Sequence, residues 1–166
     1  MKKSLVNMRN IILLLLLVIS FNLQARNLSG RLGIGMTNHF HNDIPCISLK
    51  LQRSKSYALG LEVGTKFSDT DGGYATGLKF YRIIFDEPQL NFYGALMGAM
   101  LSQKTAGVSK SGYQFDGTLG TEFHFAGLES LGFSFEFGLS INKLGEKSAI
   151  ETVGDSMIVG AVHFYL

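Results

Sequence analysis

Few residues in this chain could carry chemistry. The stretch Asn38-His39-Phe40-His41-Asn42-Asp43 sets two imidazoles two positions apart with a carboxylate close behind. Imidazoles and carboxylates are ligands that transition metals take. A histidine here could also act as a general base, with Ser68-Asp69 in a later segment completing a site. The plainer reading, a solvated surface loop, carries more weight. His39, His41, Ser68 and Asp69 therefore stand as candidates only, and no catalytic residue, metal ligand or cofactor is assigned. A second set, Glu122, His124 and Glu136, offers an imidazole beside two carboxylates. As an acid–base group it competes with a hydrogen-bond network that stiffens the fold, and structural networks imitate sites often enough to favour the latter. Asp69-Thr70-Asp71-Gly72-Gly73 matches part of a calcium loop without the remaining ligands, and a hairpin turn explains it better. The glycines of Gly30-Arg31-Leu32-Gly33-Ile34-Gly35 stand in the wrong order for a dinucleotide fingerprint. HExxH, GxSxG, paired CxxC and P-loop patterns do not occur.

The segments that must position these residues have a period of two. In LGFSFEFGLSIN, residues 131–142, Leu131, Phe133, Phe135, Phe137, Leu139 and Ile141 lie on one face. Gly132, Ser134, Glu136, Gly138, Ser140 and Asn142 lie on the other. Such alternation is the mark of a strand with one apolar and one polar side. It recurs near 29–37, 45–53, 57–67, 74–85, 113–125 and 156–166. The segment 90–102 (LNFYGALMGAMLS) is apolar on both faces, so its orientation cannot be read. Breaks at 53–56, 86–89 and 126–130 are short, while those at 37–44, 68–73, 102–112 and 143–155 are mostly longer and polar. Short and long connections alternate, which places loops at one end of the sheet and tight turns at the other, with both termini at the short-turn end.

The ends and the charge narrow the class. Lys2, Lys3 and Arg9 precede an apolar run from Ile11 to Ile19, and Leu23-Gln24-Ala25 offers a small-residue cleavage site before Arg26. This is the layout of a secretory signal peptide; a spanning helix needs roughly 20 apolar residues. Residues 1–25 are read as a cleaved signal and 26–166 as one domain. Three of the 15 basic residues belong to the signal, leaving 12 against 13 acidic ones, so no nucleic-acid partner is expected. Cys46 is the single cysteine, which excludes an intramolecular disulfide; stability must come from burial or from a membrane.

The polar faces decide which way the phenylalanines point. They are rich in Gly, Ala and Ser with scattered charges, as suits a narrow interior that about eight strands leave just wide enough for side chains. The charges balance: Arg31, Lys50, Lys66 and Lys79 against Glu62, Asp116, Glu122 and Glu136, with His124 among them. Buried charges need partners, and this set can pair across a lumen. The apolar faces then meet lipid. At the C-terminus, SMIVGAVHFYL alternates to the last residue. Here the chain resembles the small bacterial outer-membrane β-barrel family of OmpA/OmpX type, which ends in an alternating apolar strand usually closing on an aromatic. Val162, Phe164 and Tyr165 fit that signal, while Leu166 departs from the usual terminal Phe.

The expected fold is an all-β, antiparallel up-and-down transmembrane β-barrel of about eight strands after a signal peptide. The resemblance implies an outer-membrane location and assembly by the barrel-assembly machinery. It implies contact with outer-membrane lipid and lipopolysaccharide, and loops that meet an extracellular partner. The leading role is non-enzymatic, structural or surface-interacting. A lipid-modifying barrel enzyme acting on lipid A acyl chains, with His39 or His41 as base, is the alternative. The known palmitoyltransferase barrel carries an amphipathic helix and abundant Trp, which this chain lacks, and the deacylase barrel uses a His-x-Ser tripeptide that does not occur here. A soluble periplasmic lipocalin-like barrel would show the same alternation turned inside out.

Overall fold

The computed structural model describes residues 28–42, 44–68, 70–154 and 157–166. The expected signal peptide, residues 1–25, and Asp69 lie outside them. Nine strand segments follow in order: β1 Leu32–Thr37, β2 Cys46–Gln52, β3 Tyr57–Lys66, β4 Gly72–Asp86, β5 Leu90–Thr105, β6 Val108–His124, β7 Leu131–Leu144, β8 Lys147–Thr152 and β9 Val159–Tyr165. Sequential neighbours from β1 to β8 pair antiparallel. The ring closes because β9 pairs with β1 on one side and with residues 131–136 of β7 on the other. β8 pairs with residues 139–144 of β7, so β8 and β9 are two pieces of one stave. The molecule is a closed antiparallel barrel of eight staves.

Alternation sorts the side chains, and the result inverts the usual rule for a globular protein. Leu78, Leu96, Met36 and Ile47 on the outside are 71%, 66%, 64% and 59% exposed, whereas Lys50, Glu62 and Glu122 on the inside are at most 1% exposed. On β5, Asn91, Tyr93, Ala95, Met97, Ala99 and Leu101 turn inward, which settles the facing of the segment that was apolar on both sides. Inward glycines make room for large neighbours. A Cβ on Gly120 would lie 2.7 Å from Glu136 Cγ and 2.8 Å from Tyr93 Cζ.

Two expected loops are largely strand. β5 and β6 run on to Thr105 and Val108 and meet at Ala106-Gly107, both with positive φ (49° and 81°). Such a turn follows the twist of the paired strands. Residues 143–155 likewise contain the tip of β7, a turn at Gly145 and all of β8. The alternation fades here because Ser109, Lys110 and the whole of β8 are exposed, so polar residues suit both faces while the backbone ladder continues. β4 to β7 are 14–17 residues long against 6 and 7 for β1 and β2, so one side of the wall stands much taller than the other.

Candidate functional site

Among the described residues, titratable side chains converge in the polar interior, which is built in tiers. Toward the short-turn end, Lys50 on β2 reaches across to Glu122 on β6, Nζ to Oε2 2.9 Å. Tyr165 donates its hydroxyl to the other oxygen of Glu122 at 2.6 Å. The Lys50 ammonium also stands 4.7 Å and 4.8 Å from the ring centroids of Tyr81 and Tyr93. His124 Nδ1 lies 2.8 Å from the Leu131 carbonyl and its Nε2 3.9 Å from Glu122. His163 Nε2 is 2.9 Å from Ser48 Oγ.

The next tier centres on Glu136. Lys79 donates to both of its oxygens at 2.7 Å, Tyr93 to Oε1 at 2.9 Å and Thr118 to Oε2 at 2.8 Å. Lys79 Nζ is also 3.7 Å from Glu62 and 2.9 Å from His39 Nδ1. Among the described buried residues, Glu62, Asp116, Glu122 and Glu136 outnumber Lys50 and Lys79, and imidazoles stand beside the surplus. His39 is 3.6 Å from Glu62 and 2.9 Å from Asp116; His124 is beside Glu122.

The connection between β1 and β2 supplies the lid of this interior. Instead of extending into solvent it folds inward, leaving His39, Phe40, Asn42 and Ile44 buried. Gln114 holds it at two points, donating to the His39 carbonyl at 3.3 Å and accepting from the His41 amide at 3.2 Å. Phe40 packs with Cys46, Ala75, Met97, Ala99 and Leu101, an apolar plug above the charged tiers.

The placement of the expected residues follows. Lys50, Glu62, Lys79, Asp116, Glu122, His124 and Glu136 line the lumen. Lys66 does not: it is exposed at the end of β3, beyond the part of the barrel that is filled. Arg31 sits at the rim, where it donates to the carbonyls of Tyr165 (2.7 Å) and Leu166 (3.2 Å) and to Ser130 Oγ (3.0 Å). Val162, Phe164 and Leu166 face outward and Tyr165 inward. Of the loop candidates, His39 is fully buried among lumen charges, His41 is 3.7 Å from Glu151, and Ser68 is exposed. The sequence reading did not single out Gln114, Tyr81, Tyr93, Tyr165 and His163 as network members. The period-two rule alone could have found His163, which falls between outward Val162 and Phe164.

No protein-family model and no curated protein matches this chain in sequence. Among solved structures it is similar to the crystal structure of the N-terminal β-barrel domain of Pseudomonas aeruginosa OprF, at 15% identity and a TM-score of 0.58, covering 83% of this chain and 98% of that one. The fold is that of an OmpA-type eight-stranded barrel. At this identity the likeness is one of backbone architecture.

Proposed function

We propose that the protein is an exported outer-membrane barrel whose role is structural or surface-interacting, with a filled polar lumen and no catalytic centre. The observation that carries this reading is the inversion of polarity: large apolar side chains cover the outside of every stave, while Lys–Glu pairs fill the inside. In water such a surface would aggregate; in a bilayer it is the expected outer face of a spanning barrel. A lipocalin-like ligand barrel needs an apolar, open cavity, and charged tiers occupy that space here. The lid argues against the enzyme alternative, because His39 points into the lumen and away from lipid. Outer-membrane lipid and lipopolysaccharide would contact the wall, and the barrel-assembly machinery would read Val162, Phe164, Tyr165 and Leu166. The tall hairpins β5–β6 and β7–β8 would present the surface for an extracellular partner.

The test is fractionation of cells making the full chain. The mature protein should remain in the outer membrane after carbonate washing, begin at Arg26, and migrate differently on a gel when unboiled. Recovery in the soluble periplasm without detergent would end the reading. For the enzyme alternative, the His39→Ala/His41→Ala double variant should leave the lipid A acylation pattern unchanged. A changed pattern at normal barrel levels would reverse the ranking.

A further inference from the structure

We infer that the outer wall holds one phospholipid at a defined place, its phosphate on Arg82 and an acyl chain in a groove across β4 to β7. The inference rests on reading the chain as a membrane-spanning barrel. Two positions on the outer face of β5 and β6, Gly94 and Gly117, carry no side chain. They form the floor of a groove of about 890 Å³ walled by Phe80, Leu96, Phe115, Leu119, Phe137 and Leu139. The backbone does not demand glycine at Gly94 or Gly117, since neither has a left-handed φ. Nor do neighbours fill the space: a Cβ at Gly117 would meet only Leu96 Cδ2 at 3.9 Å, and one at Gly94 nothing nearer than 3.8 Å.

The groove is apolar except at Arg82. That arginine is exposed on the outer face of β4, between Phe80 and Ile84, opposite Gly94 on β5 and Tyr57 on β3. Tyr57 is the first residue of β3, and the Ile83 amide bonds the Ser56 carbonyl at 2.8 Å, so Arg82 stands near the level of the short turn 53–56. Asp86 and Glu87 follow at the foot of β4, yet Arg82 makes no ion pair among the described residues. A cation on a lipid-facing wall is costly at mid-bilayer and tolerated near the headgroups. What it meets there is phosphate, which the guanidinium fork grips bidentately. The depth of the groove selects the rest of the occupant. A dent one side chain deep admits a methylene chain, whereas a helix of about 10–12 Å diameter would rest on the rim. From β4 to β7 it spans three strand spacings of about 4.8 Å, roughly 14 Å of track.

The experiment places the purified full barrel in nanodiscs of equal phosphatidylglycerol and phosphatidylethanolamine and counts co-retained lipid by native mass spectrometry. Wild type should keep one phosphatidylglycerol in preference to phosphatidylethanolamine. Arg82→Ala should lower that retention about tenfold, and Gly94→Leu/Gly117→Leu should lower it as much with Arg82 intact, each variant first checked by its heat-dependent gel shift. Undiminished retention in either variant overturns the inference. So does equal retention of the two lipids by wild type, whether or not a variant folds. A barrel that inserts but keeps no lipid ends this inference alone; one that inserts into no bilayer at all ends the reading beneath it.

Discussion

Glu136 gathers more of the lumen than any other side chain described, accepting from Lys79, Tyr93 and Thr118 at once. Removing it leaves a lysine that is 3% exposed with Glu62, at 3.7 Å, as its remaining carboxylate. Glu136→Leu should therefore destabilise the barrel by up to about 3 kcal/mol, read by urea unfolding in detergent, because the buried ammonium loses its close carboxylate and keeps only the longer contact to Glu62. Lys79→Met combined with Glu136→Leu should recover part of that loss, since it removes the poorly paired ammonium while His39 stays 3.6 Å from Glu62. A double variant as weak as the single one would show that the pair is not the unit. The charged members of this network were legible in the sequence because Lys50, Glu62, Lys79, Asp116, Glu122 and Glu136 all fall on polar faces. The lid was not. His39 lies in a polar stretch between two strands, and its burial depends on Gln114 and Asp116, some 75 residues away along the chain.

Among the strands, the outward stripe and the closing seam set different limits. Phe135→Arg places a cation on the apolar wall, which costs about 2–4 kcal/mol near the middle of a bilayer, while Phe135→Leu keeps the face apolar. The arginine variant should reach the membrane in reduced amounts and the leucine variant normally, as judged by the fraction resisting carbonate. At the seam, a Cβ on Gly35 would lie 1.8 Å from the Val162 carbonyl oxygen, against backbone that cannot step aside. Gly35→Val should weaken the β1–β9 pairing and lower the temperature at which the unboiled gel form converts to the boiled one. Strand positions were readable wherever one face was apolar and the other polar or charged. β5 defeated the pattern for a physical reason: its inward Met97, Ala99 and Leu101 pack on Phe40 of the lid, so both of its faces are apolar. The hairpin tips were missed because β8 and the start of β6 are exposed, and no burial pattern marks their ladders.

Taken as a whole, the molecule is a tube without a bore. Eight staves leave a lumen about as wide as the side chains that fill it, and here two ion-paired tiers and an apolar lid lie one above another. Planar-bilayer recordings should give little or no steady current, and stable porin-like steps would contradict the packing. The same packing bears on how the barrel is made. Lys79 and Glu136 are 57 residues apart in sequence, Lys50 and Glu122 72, and Arg31 reaches the carbonyl of a residue 134 positions away. None of these partners is local, so a half-curled sheet holds lysines and carboxylates with nothing opposite them. Each added stave gains its backbone ladder, but the cross-lumen pairs wait until the sheet curls and β9 meets β1. Closure becomes all-or-none, and the charges that look like cargo in the finished barrel act during its formation as a ratchet against reopening.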